Sequence, residues 1–476
     1  MRSSLRPLRV LPVAVALAAS YGPADAQTDG GSALAMTRLE LTLDLDYDEG
    51  SLAGTASYEL SNLSAVAVTE IPFNVGRLLT VRTARGPSGS LTLTQDVAVF
   101  EDSPKRQVNH VVVTLSRPLA PGGTTRVELG YGGYLVGYTE TGSIYIKDRV
   151  APDFSILRED AFAWPSVGTL SRRANRVAPR PDFTFAARIT VPEGQTVASG
   201  GRLVERTTRE GRTTFTYESV APVPFVNLPI APYALLSDAG VRVYYFPEDS
   251  VGARQVLRSA TRGLDLLGRW FGPLGTTPDL AVMEIPEVWG SQASLTGGII
   301  QTADAFRDPG RMTALYHELS HLWNAPDTDQ PSARWNEGLA TFLAERMAAE
   351  LDGRDKLAEN VARTGSRLLS SAEDNPGLAE VPFLRYGEAG ATDLSYRVGF
   401  LMFYALFETL GADRFDAALG GYYQSHRERG GTFPELLERI QSESPRDLSA
   451  FFDTWVRTTR WLDELRAGTP VERIGR

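Results

Sequence analysis

Of the four histidines in this 476-residue chain, His110, His317, His321 and His426, two stand four residues apart. They lie in His317-Glu318-Leu319-Ser320-His321, an H-E-x-x-H. On a helix this spacing stacks both imidazoles on one face, one turn apart, where they can reach a single ion. Glu318 is about 100° further round the helix, placed to meet a metal-bound water rather than the metal. The chemistry implied is one Zn²⁺ ion acidifying a water, with the Glu318 carboxylate as general base. A catalytic zinc of this type needs a third protein ligand and an open position. Glu337, in Arg334-Trp335-Asn336-Glu337-Gly338-Leu339-Ala340, is the candidate. Pro and Asp residues between His321 and Glu337 let the chain reverse, so a pair of antiparallel helices would bring the three side chains together. The chain has no cysteine, which excludes thiolate metal sites, iron–sulfur clusters, disulfides and a Cys nucleophile.

Elements must hold these residues in place. Asp308 can cap a helix over 309–324, Pro309 suits its first turn and Pro326 stops it. Met312, Leu315, Tyr316, Leu319, Leu322 and Trp323 form its apolar stripe, opposite His317 and His321. Helical spacing continues over 333–352, 354–371, 392–410, 413–427, 432–441 and 446–465. Before them come a strand at Val241–Phe246, a helix at Val251–Phe271, a strand at Leu280–Ile285 and a short edge strand at Gly298–Gln301. From about 36 to 235 the pattern is strand-like, with no helix expected. Leu39, Leu41, Leu43 and Leu45 alternate with polar residues, and His110–Leu115, Arg126–Leu129, Phe183–Val191 and Thr213–Tyr217 continue the theme. The fold class expected is a multidomain chain, all-β first and α+β after. Its parts are a signal segment 1–26, a flexible lead-in 27–35, an all-β domain 36–236, a catalytic domain 237–468 and a tail 469–476.

Arg2, Arg6 and Arg9, the apolar run Val10–Ser20 and Ala24-Asp25-Ala26 together read as a cleaved secretory signal. The run is too short for the roughly 20 residues a membrane helix needs. The protein is therefore expected in the periplasm or outside the cell, with no membrane span. Acidic residues outnumber basic ones, 58 to 48, which argues against nucleic acid as a partner; a peptide substrate is what the H-E-x-x-H chemistry points to.

These motifs resemble the M1 zinc metallopeptidases, the aminopeptidase N and leukotriene hydrolase type. The family shares H-E-x-x-H followed by a helix bearing (L/W)-x-E-G-x-(A/T), matched here by Trp335 to Ala340. Phe183–Pro192, Val197–Leu203 and Val223–Leu235 are similar to the end of the family's saddle-shaped β-domain, which precedes a thermolysin-like domain. The resemblance implies zinc held by His317, His321 and Glu337, with Glu318 as base. It also implies an oxyanion-stabilising tyrosine in a Y-x-x-G context, matched by Tyr396-Arg397-Val398-Gly399. Glu159 and Asp160 fall where family members contribute substrate contacts from the β-domain.

Three departures stand out. Fifteen residues separate His321 from Glu337, fewer than is usual in the family. The family's G-x-M-E-N strand, whose Glu holds the substrate's free ammonium, has no counterpart. The equivalent stretch, Trp289 to Ile300, contains no carboxylate. It is expected to line the cleft as an edge strand and pair with an extended peptide. The chain also ends soon after Phe451-Phe-Asp-Thr-Trp455, where the family continues into a helical domain, so a more open cleft is expected. Aminopeptidase specificity is thus open. The rival readings are a catalytically inactive M1-like binding or scaffold protein and a hydrolase of non-peptide bonds. His110, in a strand, and His426, near a helix end, are expected to be structural.

Overall fold

The computed structural model describes residues 34–135, 149–178, 180–275, 279–287, 290–294, 296–374, 377 and 380–476. The expected signal segment 1–26, and Val288, Trp289 and Leu295 of the carboxylate-free stretch, lie outside the described residues. Gly31–Arg476 form one compact unit.

The first strand is Leu34–Asp46, two residues inside the expected lead-in, and both Leu34 and Ala35 are buried. It pairs antiparallel with Ser51–Asn62 and parallel with Thr184–Pro192, at the centre of an eight-stranded sheet. The leucines at 39, 41, 43 and 45 all point into the core, as period-2 patterning requires. A four-stranded sheet built on Val68–Gly76 and Ser103–Leu119 covers that core with Phe73, Val111 and Val113. His110 sits in this second sheet, its Nδ1 2.9 Å from Asn74 Oδ1.

Among the described residues, one helix interrupts the β-region, contrary to expectation: α1, Arg172–Val177. No apolar period marks it, because end contacts hold it instead. Ser171 Oγ accepts from Ala174 N–H, and the Asp102 carboxylate accepts from Arg172 and Arg173 N–H at 2.9 and 2.6 Å.

A five-stranded sheet opens the second half, in the order Ala234–Asp238, Val241–Tyr245, Leu280–Ile285, Gly298–Thr302, Gln292–Ser294. Gly298–Thr302 is therefore interior, between a parallel and an antiparallel neighbour, and not the edge strand expected. Gln292–Ser294 takes the edge. The chain crosses over and returns as a hairpin, a long-range choice that local spacing does not encode. Sheet residues Tyr244, Ala281, Met283 and Ile300 pack with Phe154, Ile156, Ala198 and Ala231 of the β-region, so the two halves share a small core.

Helices form the rest: α2 (Ser250–Phe271), α3 (Met312–Ser320), α4 (Trp335–Asp352), α5 (Leu357–Asp374), α6 (Ser395–Leu410), α7 (Ala412–His426) and α8 (Phe433–Glu443). The stripe of α3 is fully buried, with Met312, Leu315, Tyr316 and Leu319 all at 0% exposure. The expected cap and stop also stand: Asp308 accepts from Gly310 N–H ahead of α3, and a 3₁₀ turn, His321–Trp323, ends it. Residues 469–476, expected as a tail, dock on this helical core through Val471 and Ile474, and Trp455 Nε1 donates to Ile474 O. Among the described residues no helix is long and apolar enough to cross a membrane.

Candidate metal centre and cleft

α3 and α4 pack side by side, and their polar faces meet at three donor atoms. His317 Nε2 and His321 Nε2 are 3.2 Å apart, and each lies 3.3 Å from Glu337 Oε2. A tetrahedral ion with ligand bonds of 2.0–2.1 Å has donor–donor edges of about 3.3–3.4 Å. The three separations match that figure, and the donor set, two imidazoles and a carboxylate, is one zinc takes. Among the described residues this is the only such cluster.

Each donor is held from behind. The Asn324 amide lies 2.7 Å from His321 Nδ1 and Thr341 Oγ1 lies 3.5 Å from His317 Nδ1. With the Asn324 oxygen turned to the ring, Nδ1–H is donated and the Nε2 lone pair faces the site. Glu337 Oε1 accepts from Arg334, whose Nη2 is also 3.4 Å from Tyr396 OH. Burial alone would raise the Glu337 carboxyl. Its contacts with His317 and His321, with the charge of Arg334, outweigh it and hold the group far below the usual range.

Glu318, on α3, is 8% exposed. Burial pushes its carboxyl up to about 7; His317 opposes the shift and Glu337 adds to it. Tyr396 reaches the site from α6. Its ring lies nearly parallel to that of His317, 5.9 Å between centroids and 13° between planes. Burial keeps its phenol protonated well above its ordinary range.

What brings Tyr396 within reach is a helix crossing without side chains. A Cβ added to Gly338 on α4 would lie 2.5 Å from Gly399 Cα and 2.6 Å from Ser395 O on α6. The E-G and Y-x-x-G motifs therefore have a packing reason: the two glycines let the backbones touch, one residue from Glu337 and one turn from Tyr396.

All five expected residues, His317, Glu318, His321, Glu337 and Tyr396, line one cleft of about 770 Å³. Gln292 on the edge strand lines it too, its Oε1 accepting from Asn227 at 2.9 Å. Asp160 lies on the facing wall, gripped in a fork by the buried Arg158 at 2.8 and 2.7 Å. Glu159 points instead into a neighbouring cavity of about 320 Å³. His426 packs on Tyr422, away from the donor cluster. Sequence reasoning missed Arg334, Asn324 and Thr341. A signal existed for two of them: Asn324 lies three residues after His321, and Thr341 four after Glu337.

No profile of a known family matches the chain. Aminopeptidase M1-B from Oryza sativa subsp. japonica is 24% identical over 241 residues. The match spans 47% of this chain and 27% of the rice protein. Solved structures cover far more. An M1 zinc metallopeptidase from Deinococcus radiodurans, a point variant bound to a Tyr-Ser-Ala substrate, superposes with TM-score 0.65 at 22% identity. That superposition covers 89% of this chain and 94% of the other. Another structure of an M1 zinc metallopeptidase from the same organism gives 0.63 at 21%, covering 92% and 93%. The chain thus has the fold of the M1 zinc metallopeptidases: a β-rich region first, then a helical region.

Proposed function

We propose that the protein is a zinc metallopeptidase of M1 type, exported to the periplasm or beyond the cell by residues 1–26. The observation that carries this reading is the triangle of His317 Nε2, His321 Nε2 and Glu337 Oε2, with edges that suit tetrahedral zinc. When bound there, zinc supplies an acidified water and polarises the scissile carbonyl. Glu318, buried beside His317, takes the proton of the attacking water and later delivers it to the leaving amine. Tyr396 donates its phenol hydrogen to the carbonyl oxygen as that oxygen becomes anionic. The Tyr-Ser-Ala tripeptide bound by the Deinococcus protein of the same fold supports short peptides as substrates here.

Glu318→Gln should keep zinc and lose hydrolysis by roughly 10²–10⁴-fold. Full turnover by a zinc-replete variant would overturn the mechanism. A second reading, a non-catalytic binding protein, draws support from the edge strand Gln292–Ser294, which carries no carboxylate to hold a substrate amine. Absence of peptide hydrolysis by the zinc-loaded unaltered protein would favour it.

A further inference from the structure

Arg334 occupies the left-handed region, φ 56° and ψ 42°, immediately before α4. A side chain with a Cβ is strained there, whereas glycine is not. The surroundings enforce the conformation. Arg334 N–H donates to Ser332 Oγ at 2.8 Å, Ser395 Oγ–H donates to Ala333 O, and Glu337 N–H donates to Arg334 O at 3.1 Å. Strain that neighbouring contacts over-determine at a site points to a task for the side chain. That side chain makes three contacts: its Nη2 donates to Glu337 Oε1 and lies 3.4 Å from Tyr396 OH, and its guanidinium stands 5.7 Å from the Tyr396 ring centroid.

We propose that Arg334 is a positioning residue that aims both the third metal ligand and the oxyanion-stabilising phenol. The inference rests on the metal-site reading above. Glu337 has two oxygens and is 8% exposed. Oε2 faces the two histidines, and Arg334 occupies Oε1. The carboxylate is thereby fixed to offer one oxygen, and its second lone-pair set is not left buried without a donor. The same Nη2 approaches the phenol oxygen as a donor, which leaves the phenol hydrogen free to point at substrate. The rigid guanidinium fixes the directions of the two N–H groups of Nη2, whereas an ammonium on a flexible stem does not.

Strain makes the test discriminating. Arg334→Gly relieves the backbone while deleting the guanidinium, so the strain released offsets part of the lost ion pair and the zinc-free protein should melt close to the unaltered one. Zinc affinity, measured by chelator competition, should fall about 10–100-fold. At saturating zinc, kcat should fall with KM little changed, because the phenol acts on the developing oxyanion and not on bound substrate. Arg334→Lys should recover more of the zinc affinity than of kcat. If Arg334→Gly binds zinc and turns over like the unaltered protein, the inference falls. It falls equally if zinc affinity drops only in step with stability of the zinc-free protein. If the unaltered protein itself binds no zinc, the metal-site reading fails and the inference with it.

Discussion

Replacing Gly338 by alanine tests whether the α4–α6 backbone contact positions the chemistry. The added Cβ would meet Gly399 Cα at 2.5 Å, Ser395 O at 2.6 Å and Gly399 C at 2.7 Å. Non-bonded carbons settle at about 3.5–4.0 Å, so the helices must part by about 1 Å. All three obstacles are backbone, and no rotamer change can relieve them. Overpacking of this kind costs about 1–3 kcal/mol, against which alanine's better helix propensity returns at most about 1 kcal/mol. The reverse change, Gly399→Ala, meets Gly338 Cα at 2.9 Å and then only the edge of Phe383 at 3.4 Å. Its cost should be smaller. Denaturant unfolding of both variants should therefore rank Gly338→Ala below Gly399→Ala, with both at or below the parent. Activity should suffer more than stability. Tyr396 rides on α6 and Glu337 on α4, and a misplacement of 1 Å costs on the order of 10²-fold in rate. Hydrolysis of a reporter peptide by folded, zinc-loaded protein measures this. Parent-like turnover by Gly338→Ala would refute the claim that the crossing sets the geometry. A larger defect in Gly399→Ala would refute the steric ranking.

Two further outcomes are expected. Glu284 is fully buried, accepts from Phe246 N–H with one oxygen and has no hydrogen-bond partner among the described residues for the other; burial pushes its carboxyl up to about 9, the Phe246 N–H opposing and Asp249 adding. The folded state thus holds a proton that the unfolded chain releases, so the stabilisation is complete below the unfolded value of 4.5 and is lost as pH rises towards 9. Glu284→Gln, never ionised, should gain on the parent by up to about 1 kcal/mol per pH unit across that window, and equal urea midpoint differences at pH 5 and pH 8 would contradict it. Peptides with acetylated N-termini should be cleaved at rates comparable to their free-amine counterparts, because Gln292 is bonded to Asn227 and Asp160 is held by Arg158; cleavage confined to free-amine peptides would show that another group receives the ammonium.

The donor triangle was legible because two regularities fix it. The i, i+4 spacing sets His317 against His321, and the loop before Trp335 starts a new helix whose third residue is Glu337. Tyr396 was legible only through its motif, since nothing local to residue 396 says which helix faces it. The supporting layer was harder to read. Arg334 is ordinary in composition, and its left-handed backbone is imposed by Ser332 and Ser395, the latter 61 residues away. Gly338 and Gly399 look like weak points of a helix until the crossing is seen. The helix Arg172–Val177 escaped notice because it has no apolar period and Asp102, 70 residues upstream of Arg172, reinforces the local Ser171 cap. The sheet order escaped for a related reason: Gly298–Thr302 is as apolar as an interior strand, but only the returning hairpin makes it one.

The placement of charges along the helices gives one account of why these elements converge. His317 lies in the last turns of α3 and His321 just past its end, where carbonyl groups point outward and favour a cation. Glu337 is the third residue of α4 and Tyr396 the second of α6, so the first turns of two helices line the same cleft. Those ends favour negative charge, which suits the Glu337 carboxylate at one and, in the mechanism proposed above, the oxyanion that would face Tyr396 at the other. One helix end thus supplies the field a metal cation prefers and two supply the field its anionic partners prefer. The contact of Gly338 with Gly399 brings those last two ends together. The packing that closes the helical core and the electrostatics of the site then depend on the same few residues. For that reason a single methyl group at 338 should be felt in both stability and rate.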